Sequence, residues 1–152
     1  MRIMPLVGVI DPGHGGKDPG CRGAQAVEKE LTLLYGLEVA AELRARGHRI
    51  TLTREDDRYL ALAERTQITN AASPKVDFFV SVHFDWNANP AARGTWSLYF
   101  NNIQYDTSLT IHDRGYIVSQ TPSPLGKPLA DAITRCVTGR SEEHTSELQS
   151  LR

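Results

Sequence analysis

The stretch that decides the fold is Val9 to Gly20, which reads VIDPGHGGKDPG. Its first residues continue a short apolar run, LVGVID from Leu6 to Asp11. A run that brief, β-branched and ending in a turn is the mark of a buried strand. Beyond Asp11 the chain spends glycine and proline densely around one imidazole, that of His14. Glycine is costly to order, so such a cluster means an unusual turn, or a backbone lying close to something. A phosphate, a metal or a plain tight turn would each satisfy it. The phosphate reading is the weakest, because the G-x-x-x-x-G-K-[ST] spacing is absent and Lys17 is misplaced for it.

Working outward, strands and helices alternate. EKELTLLYGLEVAAELRARG after the glycine loop has near-helical apolar spacing at Leu31, Leu34, Leu37 and Ala41. Gly47 ends it, with Arg44 and Arg46 in the last turn, where cations suit the helix dipole. HRITLTR (His48–Arg54) is expected to be a second strand and LALAERTQITNAA (Leu60–Ala72) a second helix. VDFFVSVHF (Val76–Phe84), apolar nearly throughout, reads as a third strand, TWSLYF (Thr95–Phe100) as a fourth, and GKPLADAITRCV (Gly126–Val137) as a third helix. Asn101 to Pro124 is polar and turn-rich and reads as a long loop. Strands separated by helices predict an α/β fold with a mostly parallel twisted sheet flanked by helices.

Composition sets the class. The chain has 152 residues, enough for one domain with a real core. Its 40% hydrophobic and 23% charged content is that of an ordinary globular protein. A formal charge of −1 argues against nucleic acid as a partner, since phosphate backbones demand clustered positive charge. Cys21 and Cys136 are far apart and unpatterned, so no disulfide framework or cysteine metal site is indicated. No apolar run reaches membrane-spanning length. The opening MRIMPLVGVIDPG leads straight into the motif, so no secretory signal peptide is expected in it; export by another route, or loss of the start, is the implied alternative.

In open α/β sheets ligands gather beyond the carboxyl ends of the strands. His14 follows the first strand, His83 ends the third, and Glu28 opens the first helix. Two imidazoles and a carboxylate at one rim suit a catalytic zinc ion with water in the fourth position. Taken singly, each residue has a plainer reading: a loop histidine making hydrogen bonds, a histidine closing a core strand, an acid favouring the helix N-terminus.

Several motifs together resemble one family. DPGHGGKDPG, VEKELTLLYGLEVAAEL, GHRITLTREDD, LALAERTQITNA and DFFVSVHFDWN match, in order and spacing, the pattern of the zinc-dependent N-acetylmuramoyl-L-alanine amidases. The resemblance covers roughly Val7 to Phe100 and implies hydrolysis of the amide between N-acetylmuramic acid and L-alanine in peptidoglycan. It implies Zn2+ as cofactor, held by His14, Glu28 and His83, with the peptidoglycan stem peptide and glycan as partners. A monomer acting outside the cytoplasm on the cell wall is expected. Asp11 and Asp85 are the candidates to orient the imidazoles or touch substrate. Arg54 and Arg65 match family positions and are expected to be structural. His48, His112 and His144 match no motif and are expected to face solvent.

One part of the family pattern is missing. Its general-base glutamate lies on a late strand reading roughly V-E-I-G-F-L-S-N, and nothing here matches it. RSEEHTSELQS (Arg140–Ser150) instead resembles a reading frame of a sequencing adapter. Residues 1–139 are therefore expected to be a truncated catalytic domain, incomplete at its C-terminal end, and 140–152 a non-native, disordered tail. Glu142, Glu143 and Glu147 have no context that would make one of them the base. An impaired amidase is the expected function; the alternative is a non-catalytic peptidoglycan-binding module.

Overall fold

The computed structural model describes residues 4–89, 91 and 126–138. Within them the order is β1 (Val7–Pro12), α1 (Glu28–Ala45), β2 (Arg49–Leu52), α2 (Leu62–Ala71), β3 (Phe78–Val82) and α3 (Gly126–Thr138). The expected fourth strand at Thr95–Phe100, the loop from Asn101 to Pro124 and the tail lie outside the described residues. The chain divides into two compact units, residues 1–88 and 89–152. The second contributes α3, with Ala130 buried and Leu129 and Cys136 exposed.

In the first unit the strands form a parallel sheet in the order β2-β1-β3. β1 is central, and Gly8 to Pro12 are all buried, as a strand flanked on both sides requires. β2 and β3 alternate between inward and outward residues instead, and Phe79 on β3 is 43% exposed. The near-continuous apolar run of β3 is thus an alternating strand in the fold, with one side open. α1 lies across the sheet, and Ile10, Ala40, Ile50 and Leu52 form the core under it, with Leu43, Phe78, Val80 and Val82 against them. Burying an aliphatic side chain of this size stabilises by roughly 1.5–3 kcal/mol.

The ends of α1 and α2 are satisfied locally. Val27 at the α1 N-cap has no side-chain acceptor, so the carbonyls of Cys21 and Pro19 take the N–H groups of Glu28 and Lys29. This bends the loop after the glycines back over the helix start. At α2, Glu64 reaches back to the Ala61 N–H at 2.6 Å. Gly47 stops α1 at φ +88°. His48 is half-buried rather than solvent-facing, and its Nδ1 accepts the Leu6 N–H at 3.1 Å.

Candidate metal centre

β1 sends the chain to β2 on one side, and the chain later returns to β3 on the other. The rim above β1 and β3 is therefore the switch point, where open sheets leave a crevice. His14 leaves β1 there, His83 leaves β3, and Glu28 begins α1. The three side chains meet: His14 Nε2 and His83 Nδ1 each lie 3.1 Å from Glu28 Oε1, and 3.2 Å from one another. Among the described residues this is the one group of three side chains arranged to hold a metal ion.

Each corner of that triangle is fixed from behind. Glu28 is buried, yet its Oε2 accepts the Cys21 N–H at 2.8 Å and its Oε1 the Phe84 N–H at 2.9 Å. Burial pushes the carboxyl pKa up, but those two N–H groups and the neighbouring imidazoles outweigh it, so Glu28 is held below the usual range. His14 adopts φ +62°, a left-handed conformation costly for a side chain with a Cβ. Its Nδ1 lies 2.9 Å from Asp18 Oδ2. Asp18 also sits below its ordinary value: burial opposes this, and the hydrogen bonds from His14 and the Gly20 N–H prevail. His83 is the least enclosed of the three, its side chain 49% exposed.

The glycines now have their reason. A Cβ on Gly13 would collide with the His83 ring, and one on Gly20 with the Glu28 carboxylate and the His14 ring. At both positions the backbone must lie against the cluster.

Two buried arginines hold the loop by its carbonyls. Arg54, fully enclosed, donates to the carbonyls of Pro12, Gly13, Lys29 and Asp56 and to Thr32 Oγ1. Burial, with Arg65 close by, pulls its guanidinium down from the ordinary value. Arg65 donates to the Pro12 and His14 carbonyls at 2.8 Å and pairs with Asp11 at 2.6 Å. Both arginines act on the backbone and touch no imidazole.

The expected carboxylates are elsewhere. Asp11 is buried, and its oxygens are taken by Thr53, Arg65 and Ser81, so it orients neither histidine. Asp85 is exposed, and among the described residues its carboxylate makes no hydrogen bond to either ring. The carboxylate on His14 is Asp18, which sequence reasoning missed. A signal was available: a Gly-Gly-Lys-Asp turn folds back on itself, and Gly15 and Asp18 exchange backbone hydrogen bonds of 2.9 and 3.1 Å. Lys29 was also missed. Its Nζ bonds the Gly16 carbonyl at 3.0 Å and Asp57 at 2.5 Å, while Asp57 accepts the Gly16 N–H at 2.8 Å. Lys17 stands over the Tyr59 ring at 4.4 Å, away from the cluster.

Residues 9–148 match the family model described as N-acetylmuramoyl-L-alanine amidase. The chain belongs to that family. Among curated relatives, the N-acetylmuramoyl-L-alanine amidase AmiC of Neisseria meningitidis is 36% identical over 66% of this chain and 24% of its own length. LytC of Bacillus subtilis, another N-acetylmuramoyl-L-alanine amidase, is 36% identical over 66% and 20%. The chain thus spans about a fifth to a quarter of the length of these two curated amidases. Of solved structures, the catalytic domain of CwlV, an amidase from Bacillus (Paenibacillus) polymyxa, superposes with a TM-score of 0.53 at 35% identity. It covers 59% of this chain and 50% of that one. The amidase AmiC2 of Nostoc punctiforme gives 0.51 at 40% identity, covering 55% and 46%. Their likeness agrees with the open parallel α/β sheet of β1, β2 and β3. Among the described residues no helix is long and apolar enough to cross a membrane.

Proposed function

We propose that this amidase-family chain is a zinc protein acting on the peptidoglycan of the cell wall, outside the cytoplasm, at the amide between N-acetylmuramic acid and L-alanine. The observation that carries the reading is the triangle of His14 Nε2, Glu28 Oε1 and His83 Nδ1, with edges of 3.1–3.2 Å. Zinc bonded to two nitrogens and an oxygen at 2.0–2.1 Å in a tetrahedron needs ligand separations of about 3.3 Å, so the donor set and its spacing fit that ion. When bound, zinc would supply Lewis acidity, polarising the scissile carbonyl and acidifying water near neutral pH.

The chain's own residues provide the rest. The Cys21 and Phe84 N–H groups keep Glu28 ionised, and the half-exposed His83 leaves one side of the cluster open to a large substrate. Proton transfer to the departing amine needs a positioned carboxylate. The sequence carries no V-E-I-G-F-L-S-N-like run, and Glu142, Glu143 and Glu147, though inside the stretch that the family model matches, stand in a polar run without a strand pattern. Turnover by this chain is therefore low. The alternative reading is a wall-binding module without catalysis.

Muropeptide release from purified sacculi, with zinc content measured in parallel, separates the two. His14→Ala and His83→Ala are expected to lose stoichiometric zinc. His48→Ala, which gives up only the bond to Leu6, should keep it at a cost of about 1 kcal/mol in stability. Equal zinc in all three variants would sink the metal reading. Binding to sacculi with no released peptide, even at high enzyme concentration, would favour the binding module.

A further inference from the structure

We propose that Asp18 is the positioning residue of the metal centre: it fixes His14 in the tautomer that carries its proton on Nδ1, leaving Nε2 free to bind the metal. The inference rests on the metal reading of the His14, Glu28 and His83 cluster. His14 Nδ1 stands 2.9 Å from Asp18 Oδ2, while His14 Nε2 faces Glu28 and His83. An ionised carboxylate only accepts, so the hydrogen between Asp18 and Nδ1 belongs to the imidazole; Glu28 Oε1, 3.1 Å from Nε2, competes for the same ring proton, and Asp18 is what holds it on the Nδ1 side. The acceptor is itself immobilised. Asp18 Oδ1 takes the Gly20 N–H at 3.2 Å, and the backbone bonds between Gly15 and Asp18 close the turn that brings the carboxylate back to its histidine.

The two imidazoles are not equivalent in this respect. His83 presents Nδ1 to the cluster, and among the described residues its Nε2 has no hydrogen-bond partner; the ring merely rests against Gly13. His14 is therefore the ligand set in advance, and Asp18 sets it. The contact also helps hold His14 in its left-handed backbone, a conformation costly for a side chain with a Cβ. Carboxylates placed behind metal-binding imidazoles generally matter by about 10- to 100-fold in metal affinity.

Two measurements on the 152-residue chain test the assignment. In the metal-free protein, long-range proton–nitrogen NMR of the imidazoles should show His14 protonated at Nδ1. Asp18→Ala should move the ring proton to Nε2, toward Glu28, and weaken zinc about 10- to 100-fold in competition with a chromophoric chelator. Asp18→Asn keeps an acceptor oxygen, so it should retain the tautomer and lose less affinity. Asp57→Asn loosens the same loop at Gly16 without touching His14 and should leave the tautomer as it is. The proposal is overturned if Asp18→Ala keeps the parent tautomer, or keeps the parent affinity. It is equally overturned if Asp57→Asn shifts the tautomer as much as Asp18→Ala does, because the effect would then be general loosening. Zinc bound equally by the parent and His14→Ala would remove the metal reading, while the tautomer, measured without metal, would still decide whether Asp18 holds His14.

Discussion

Replacing Gly13 by alanine would drive a methyl group into the His83 ring, and with the strand end held it is the half-exposed ring that must give way. The strand end is fixed by the Gly13 N–H on the Val82 carbonyl, and the Gly13 carbonyl by Arg54. Gly13→Ala is expected to cost roughly 1–3 kcal/mol in urea denaturation, the usual range for overpacking, and to lower zinc content by displacing His83. A variant with unchanged stability and zinc would show that the ring relocates freely. Arg65 poses the opposite case, a deletion. Without its guanidinium the buried Asp11 carboxylate loses its cation, and the Pro12 and His14 carbonyls lose a donor. Arg65→Ala should cost roughly 3–5 kcal/mol, the range for breaking a buried pair. A loss under about 1 kcal/mol would mean that water replaces the arginine. At this scale the sequence was partly legible. The histidines and Glu28 announce themselves by residue type and motif, and they come together. Asp11 misled because an aspartate beside a motif looks available, while its actual partners, Thr53, Arg65 and Ser81, are 42, 54 and 70 residues away.

Elements carry the site through one clamp as much as through packing. Lys29, at the start of α1, ties the glycine loop to Asp57 in the loop after β2. Its ammonium, followed by the Gly16 N–H, holds the Asp57 carboxyl below the ordinary aspartate value, against a small opposing effect of burial. A depressed carboxyl stabilises the fold above its unfolded pKa, about 4, and that contribution disappears as pH falls through the lower folded value. The urea midpoint of the parent should therefore drop more steeply as the pH falls below about 4 than that of Asp57→Asn. Parallel curves would show that the clamp adds no stability. Strand and helix boundaries were readable to within a few residues, because β-branched runs and 3.6-residue spacing are local signals. The clamp was not readable, since nothing local pairs position 29 with position 57.

For the whole molecule, the parallel order β2-β1-β3 comes from alternating elements, and it brings two strand ends and a helix start to one rim. The family membership extends the match to residue 148, well past the sheet. Activity is the property decided at this scale. The chain as it stands should release stem peptides about 10²- to 10⁴-fold more slowly than a version carrying a family-like late strand with its glutamate. Muropeptide analysis of digested sacculi measures the ratio, and comparable rates would show that a carboxylate already present does the work. The fourth strand and the tail were proposed from pattern alone, and a pattern of that kind does not say where a segment docks.

The Glu28 carboxylate accepts the Cys21 main-chain N–H. A main-chain donor belongs to every amino acid but one. Drift at position 21 should be nearly silent for the cluster, so that alanine, serine or threonine serve as well as cysteine in a saturation library scored by zinc retention. Proline alone, lacking the N–H, should drop out of the survivors. Such a site keeps its geometry through generations of change in its spelling.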